Sequence, residues 1–256
     1  MTQYTAAFHG LSLVLGLCLG SFYNVCIHRT ISGESVANPP RSKCPQCGHF
    51  LAWWENIPLL SYALLLGKCR SCRCHISARY PLVEGLSALL ALALAITFGP
   101  GPKWAAYMAF SGLFIVISFI DLETYTLPLR PMLIGSLAAL GLAPTVLGVD
   151  LVDSMLGAVV GAGLFWTVNA VYTRVRGVQG MGEGDVYLIF LIGALTGLSM
   201  LPPVIIISAA TAGIVGFIAA RGDGDKRESA LPYGPFLCLA AILVILWGDV
   251  YTALVG

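Results

Sequence analysis

The chain contains the stretch Lys103-Trp-Ala-Ala-Tyr-Met-Ala-Phe-Ser-Gly-Leu-Phe-Ile-Val-Ile-Ser-Phe-Ile-Asp121, which is charged only at its two ends. An α-helix needs about 20 mostly apolar residues to cross the roughly 30 Å hydrocarbon core of a bilayer. Other segments approach this length, so the sequence predicts about eight transmembrane helices. Together they cover approximately residues 6–26, 81–99, 103–121, 128–148, 151–172, 185–199, 202–220 and 233–254.

The predicted sixth helix is the weakest of these segments, because Pro202 and Pro203 cut it short. A proline inside a helix removes a backbone donor and kinks or ends the helix. One long kinked helix that merges the sixth and seventh segments is therefore an alternative.

The composition excludes a soluble globular protein. Hydrophobic residues make up 57% of the 256 residues and charged residues only 11%, whereas soluble domains carry about a quarter charged residues. This apolar content also excludes disorder. A net charge of +1 gives no reason to expect a nucleic-acid partner. The expected fold is an all-α polytopic membrane protein whose surroundings are the lipid bilayer.

The basic residues orient the predicted helices, because short loops rich in Lys and Arg stay in the cytoplasm. If the N-terminus lies outside, 13 of the 14 Lys and Arg residues fall on the cytoplasmic side, and only Lys103 lies outside. No basic residue precedes the first apolar stretch, which favours a retained helix over a cleaved signal peptide.

A cysteine-rich loop, residues 27–80, separates the first two predicted helices. It contains Cys44-Pro-Gln-Cys47-Gly48 and, after 21 intervening residues, Cys69-Arg-Ser-Cys72. Two such C-x-x-C knuckles predict a four-thiolate zinc site, since tetrahedral Zn²⁺ needs four ligands. Disulfides, plain reduced thiols and a redox pair are the alternatives, and a cytoplasmic loop disfavours the first. Cys74 is a fifth thiol that could compete for the metal.

The segment between the knuckles, residues 51–66, is too apolar for a free loop and too interrupted for a transmembrane helix. Trp53, Trp54 and Tyr62 predict that it packs at the membrane surface, where aromatic rings prefer to lie.

Two acidic residues stand at the ends of predicted helices on the cytoplasmic side. Asp121 ends the third, and Asp185 begins the sixth after the glycines Gly182 and Gly184, which leave the backbone bare for a peptide. Two carboxylates at one depth could meet and share a proton, as in aspartic proteases. The alternative is that Asp185 caps its helix and Asp121 is solvated. A transporter or ion channel and a non-catalytic scaffold with a zinc module are rival functions.

Motifs along nearly the whole chain resemble those of the bifunctional type 4 prepilin peptidase and N-methyltransferase family, membrane aspartic proteases of type IV pilus and type II secretion systems. The matching stretches are Gly20-Ser-Phe-Tyr-Asn-Val-Cys-Ile-His-Arg29, Cys44-Pro-x-Cys47, Asn56-Ile-Pro58, Gly67-Lys-Cys69-x-x-Cys72, Ile76-Ser-x-Arg-Tyr-Pro-Leu-Val-Glu84, Ile120-Asp121 and Gly180-Met-Gly-x-Gly-Asp185.

The resemblance implies that Asp121 and Asp185 are the catalytic pair. It implies cleavage of the basic leader of type IV prepilins and pseudopilins at the cytoplasmic face of the bacterial inner membrane. Methylation of the new N-terminus from S-adenosylmethionine would follow. No glycine-rich loop marks a site for this co-substrate. The family pattern has Asp and Lys where this chain has Leu129 and Tyr187.

The resemblance and the composition together predict three regions. Residues 1–26 form the first transmembrane helix. Residues 27–80 form the cytoplasmic cysteine-rich domain linked to methyl transfer, with zinc held by Cys44, Cys47, Cys69 and Cys72. Residues 81–256 form the transmembrane peptidase domain.

Overall fold

The computed structural model describes residues 2–37, 41–177, 181–222 and 231–255, which are almost entirely helical. The α-helices are α1 Thr2–Ser32, α2 Leu60–Leu64, α3 Arg79–Phe98, α4 Pro102–Thr124, α5 Leu129–Leu142, α6 Leu151–Arg176, α7 Glu183–Thr196, α8 Leu201–Gly222 and α9 Gly234–Val255. Short 3₁₀ turns at Trp53–Asn56 and Leu198–Met200 and a π-helical turn at Ala143–Leu147 are also present, and isolated antiparallel bridges join Lys43 to Phe50 and Lys68 to His75.

Six described helices are long and apolar enough to cross a membrane: Tyr4–Ser32, Arg79–Phe98, Pro102–Thr124, Leu129–Leu147, Leu151–Arg176 and Leu198–Ala219. Helix α7 has only 14 residues, and α9 contains the apolar stretch Gly234–Gly248 within its 22 residues. Each of the eight predicted segments thus corresponds to one helix. The predicted all-α membrane fold, with a cysteine-rich segment between the first two long helices, is confirmed.

The break between the predicted sixth and seventh helices lies at Gly197. Helix α7 ends at Thr196, and Gly197 has a φ of 81°, in the left-handed region that favours glycine. Pro202 and Pro203 lie in the first turn of α8. Backbone N–H groups there have no partner within the helix, so their absence in proline breaks no hydrogen bond. The merged-helix alternative is therefore wrong, and the glycine ends α7 before the prolines are reached.

The chain divides into two compact units, residues 1–116 and residues 117–256. In the first unit, α1 packs closely on α3. A side chain at Gly16 would place its Cβ 2.7 Å from Ala88 Cα, and one at Gly20 would come equally close to Glu84 Cα. The amide of Asn24 donates to the carbonyl of Tyr80 at 3.1 Å. Small residues on α1 thus permit the contact that holds the ends of the cysteine-rich segment.

The second unit is held together by close packing of α6 on α7. A Cβ at Gly157 would lie 2.5 Å from the carbonyl oxygen of Gly193, and a Cβ at Gly193 would collide with the backbone of Gly157. The Ser154 hydroxyl donates to the carbonyl of Ala194. Backbone-to-backbone contact therefore fixes α7, the helix that carries Asp185.

Candidate active site and cysteine cluster

Asp121 lies in the last turn of α4, and its side chain is buried. Its carboxylate Oδ2 accepts a hydrogen bond of 3.1 Å from the backbone N–H of Gly234, the first residue of α9. The first N–H groups of a helix have no partner within that helix, so α9 offers this donor at no cost to its own structure. The alternative of a solvated Asp121 is therefore wrong.

Asp185 is the third residue of α7, and its side chain is also buried. Gly182 precedes the helix in an extended conformation, and its carbonyl accepts the N–H of Asp185 at 3.1 Å. A Cβ at Gly184 would lie 2.7 Å from Leu127 Cβ, so Leu127 covers the backbone that the sequence predicts to be bare. Gly180 lies outside the described residues.

The two aspartates lie on either side of Leu127 in the second unit. A Cβ at Gly234 would meet both Asp121 Oδ2 and Leu127, and a Cβ at Gly184, next to Asp185, would meet Leu127 as well. Helix α4 meets the start of α9 here, because the Asp121 carboxylate accepts the Gly234 N–H. The structure thus brings together the two carboxylates that the sequence predicts to meet. Two buried carboxylates that share one proton can supply one acid and one base.

Tyr233 and Ser208 extend this cluster, and the sequence reasoning does not find them. The Tyr233 hydroxyl lies 2.8 Å from the Ser208 hydroxyl on α8, and Tyr233 directly precedes Gly234, whose N–H binds Asp121. The sequence does contain a signal for these residues. Tyr233-Gly234-Pro235 stands at the start of an apolar helix, where a tyrosine hydroxyl and a glycine backbone are both available for polar contacts.

Leu129 and Tyr187, the two departures from the family pattern, lie near the aspartates in sequence. Leu129 begins α5 and Tyr187 follows Asp185 on α7. Each side chain is 42% exposed, in contrast to the buried aspartates. The two residues that differ from the family pattern therefore have partly exposed side chains.

The first cysteine knuckle is a tight turn closed by backbone hydrogen bonds. The N–H of Gly48 donates to the carbonyl of Cys44 at 2.9 Å, and the N–H of Cys44 donates to the carbonyl of His49 at 2.8 Å. Gly48 has a φ of 71°, as its place after the second cysteine predicts. This turn presents Cys44 and Cys47 on one side.

The second knuckle repeats this geometry. The N–H of Arg73 donates to the carbonyl of Cys69, and the N–H of Cys69 donates to the carbonyl of Cys74, each at 2.9 Å. Arg73 takes the place of Gly48 and has a φ of 60°, although it carries a side chain. Cys74 accordingly occupies the position that His49 holds in the first knuckle.

The four predicted ligand sulfurs, those of Cys44, Cys47, Cys69 and Cys72, all lie within 4.8 Å of one another. Zinc–sulfur bonds of about 2.3 Å place the sulfurs of a tetrahedral site about 3.8 Å apart, so this cluster fits a metal ion. Burial opposes ionisation of Cys44, but the backbone N–H groups of Cys47 and Gln46 lower the pKa of its thiol to about 6. The thiolate is the form that binds metals.

The segment between the knuckles contacts both of them. The buried Glu55 carboxylate accepts the N–H of Ala52 at 2.7 Å and lies 3.3 Å from His49 Nε2. The Arg70 guanidinium lies 4.9 Å from the ring centroid of Trp54, a cation–π distance. These contacts tie residues 52–55 to the first knuckle through His49 and to the second through Arg70.

Large apolar side chains of the same segment are open to the surroundings. Trp53 and Leu66 are each 81% exposed and Leu64 is 69% exposed. The Leu59 N–H donates to the Glu84 carboxylate at 2.8 Å, which anchors the segment to α3. Such an apolar surface agrees with the expected packing at the membrane, which stays a prediction.

These features define a class, a polytopic membrane protein with a buried aspartate pair in one unit and a four-cysteine cluster in the other. The family model of the bacterial Peptidase A24 N-terminal domain matches residues 14–98, and that of the type IV leader peptidase family matches residues 108–217. The chain belongs to the type IV leader peptidase family, which confirms the resemblance of its motifs.

The identification rests on full-length similarity to curated relatives named prepilin leader peptidase/N-methyltransferase. Those of Pseudomonas putida and Aeromonas hydrophila are 36% and 35% identical, over 95% and 96% of this chain and 92% of each relative. That of Pseudomonas aeruginosa is 35% identical over 98% of this chain and 94% of the relative. No solved structure matches the chain significantly.

Proposed function

We propose that this protein cleaves the leader peptide of prepilin-type substrates by aspartic protease chemistry and then methylates the new N-terminal residue. The observation that carries the peptidase part is the pairing of Asp121 with Asp185, two buried carboxylates from different helices. Its relatives carry both activities in their name. Nothing among the relatives supports the transporter or channel alternative.

In the peptidase step, the ionised carboxylate takes a proton from water as the water oxygen attacks the scissile carbonyl carbon. The protonated carboxyl gives its proton to the carbonyl oxygen. As the tetrahedral intermediate collapses, the C–N bond breaks and the proton first taken from water passes to the leaving amine. One diol hydroxyl gives its proton back to the second carboxylate, which re-forms the C=O bond. The Gly234 N–H holds the Asp121 carboxylate in position throughout.

For the cysteine cluster, we propose that Cys44, Cys47, Cys69 and Cys72 bind one zinc ion. Their sulfurs approach at distances that suit tetrahedral coordination, and the supporting turns are built twice from the same hydrogen bonds. Bound zinc would supply a structural crosslink between the two knuckles. S-adenosylmethionine would be the methyl donor, and the cysteine-rich domain, residues 27–80, would serve this second reaction.

The proposed location is the bacterial inner membrane, with the N-terminus outside and the aspartate pair at the cytoplasmic face. The distribution of basic residues supports this orientation, since 13 of the 14 fall on one side. Type IV prepilins and pseudopilins with basic leaders are the proposed substrates. Residues 81–256 would form the peptidase domain after the first helix, residues 1–26.

The test uses the purified full chain, a prepilin-type peptide and S-adenosylmethionine, with products read by mass spectrometry. We expect cleavage followed by the gain of one methyl group on the new N-terminus. Asp121→Asn and Asp185→Asn should each abolish cleavage, and the double variant should lose little more. Glu123→Gln, an exposed carboxylate on the same turn as Asp121, is the matched control and should cleave normally. Substantial cleavage by either aspartate variant would refute the paired mechanism.

A further inference from the structure

Cys74 places a fifth sulfur beside the four-cysteine cluster. Its Sγ lies 3.2 Å from Sγ of Cys72 and 3.7 Å from Sγ of Cys44. The sulfurs of Cys44 and Cys72 are themselves 3.9 Å apart. Cys74 therefore approaches the cluster as closely as two of the proposed ligands approach each other.

The distances around Cys74 can be compared with those expected in a metal site. The sulfurs of a tetrahedral zinc site are about 3.8 Å apart. The separation of Cys44 from Cys72 and that of Cys44 from Cys74 both match this value. The sulfurs of Cys72 and Cys74, at 3.2 Å, are too close to occupy two corners of one tetrahedron. In such a tetrahedron these two sulfurs would share one corner.

The backbone of the second knuckle explains this placement. Arg73 has a φ of 60°, and the hydrogen bond from the Cys69 N–H to the Cys74 carbonyl folds residue 74 back towards the cluster. His49 holds the equivalent position in the first knuckle, but its imidazole faces the Glu55 carboxylate at 3.3 Å. The second knuckle thus offers an additional sulfur where the first has an imidazole bound to Glu55.

We propose that Cys72 and Cys74 are alternative ligands for one coordination position, so that five thiols serve a four-coordinate metal site. The inference rests on the metal site of the proposed function. In the exchange, a Cys74–metal bond forms as the Cys72–metal bond breaks. The incoming thiol releases a proton and the outgoing thiolate takes one up, so no electrons are transferred. The exposed Cys72 can then leave the metal without loss of the site.

The test counts the sulfur ligands of the full-length chain loaded with Zn²⁺ in reducing buffer, by X-ray absorption and metal analysis. Cys72→Ser and Cys74→Ser should each keep one zinc with four sulfur ligands. The double variant Cys72→Ser/Cys74→Ser should fall to three sulfurs and release zinc to a chelator roughly tenfold faster or more, the scale of a disturbed ligand. Cys47→Ser is the matched control and should fall to three sulfurs although Cys74 is present.

Three sulfur ligands in Cys72→Ser would overturn the proposal, and four in Cys47→Ser would overturn the assignment to a single position. A wild-type chain that binds no zinc would instead overturn the metal site itself. Mild alkylation of zinc-loaded wild-type protein avoids any folding defect of the variants. Within residues 27–80, we expect one label, divided between Cys72 and Cys74 in fragment-ion spectra. A label confined to Cys74 would show that no exchange occurs.

Discussion

Gly234 supports Asp121 through its backbone alone, and its lack of a side chain is what permits the contact. A Cβ at this position would lie 2.6 Å from Asp121 Oδ2 and 3.2 Å from Leu127 Cδ2. Gly234→Ala keeps the donor N–H but displaces the carboxylate. Displacements near 1 Å in an active site cost about 100-fold in rate, and we expect a loss of this size in the kcat of peptide cleavage.

The control for this variant is Gly216→Ala on α8, where a Cβ meets open space. Methyl transfer to an already cleaved peptide provides a second check, because an intact reaction there shows that the variant is folded. Normal cleavage by Gly234→Ala would mean that the hydrogen bond to Asp121 does not position the carboxylate for catalysis.

Glu55 makes the stability of the cysteine-rich segment depend on pH. The N–H of Ala52 and the neighbouring His49 hold the pKa of its carboxyl below the ordinary value, although burial opposes this shift. Because the folded pKa is depressed, the carboxylate stabilises the fold above its unfolded pKa of about 4.3, and this contribution is lost as pH falls through the folded pKa. Glu55→Gln should therefore speed amide hydrogen exchange in residues 41–78 at pH 7.

The same comparison at low pH tests whether the stabilisation requires the ionised carboxylate of Glu55. With exchange rates corrected for their intrinsic pH dependence, the difference between wild type and Glu55→Gln should shrink steadily below about pH 4. A difference of equal size at pH 7 and pH 3 would show that the glutamine variant acts through packing and not through the missing charge.

Single residues differ in how far the sequence predicts them. Asp121 and Asp185 can be found because a carboxylate at the edge of an apolar helix is costly and therefore conspicuous. Gly48 can be found because a glycine after a C-x-x-C pair predicts a left-handed turn. Gly234 cannot, since its contribution is a backbone N–H that every residue except proline carries. The positive φ of Arg73 cannot be predicted either, because arginine is not a residue type that favours this conformation.

At the scale of whole helices, the contact of α6 with α7 sets where Asp185 stands. Gly157→Ala would place a Cβ 2.5 Å from the Gly193 carbonyl oxygen and 2.6 Å from the carbonyl carbon of Gly197. Overpacking of this kind costs about 1–3 kcal/mol. We expect a lower thermal unfolding temperature and reduced cleavage together, since both depend on the same contact.

Gly163→Ala on the same helix is the matched control, because its Cβ would meet open space. This substitution should leave stability unchanged or raise it, as alanine favours the helix over glycine. If Gly157→Ala unfolded at the wild-type temperature, the contact between the two backbones would not be what holds α7.

The helices themselves follow from apolar length, and all eight predicted segments are present. Their ends are less predictable. Prolines dominate the sequence signal near residue 202, but a proline at the start of a helix is neutral, and the actual end of α7 is set by Gly197. The Asp153 carboxylate on α6 accepts the N–H of Leu198 at 3.3 Å and supports this turn, a contact across 45 residues that local pattern does not contain.

For the whole molecule, charge and composition predict more than any single motif does. The concentration of cysteines and basic residues between the first two apolar segments predicts a separate segment there, and the structure places the four-cysteine cluster in it. The division of the described chain into units 1–116 and 117–256 runs through α4. Composition gives no sign of it, because α4 is apolar on both sides of the division.

Orientation in the membrane is the last property that charge predicts. We expect a reporter enzyme that folds only outside the cytoplasm to be active when fused after Gly101, which precedes α4, and inactive when fused after Gly177, which follows α6. A reporter that works only in the cytoplasm should give the opposite pattern and serves as the control. The reason is that Lys103 is the only basic residue on the predicted outer side, whereas Arg174 and Arg176 close α6. The inverse pattern would contradict the orientation and would move the aspartate pair to the outer face, because Asp121 ends α4 and Asp185 begins α7.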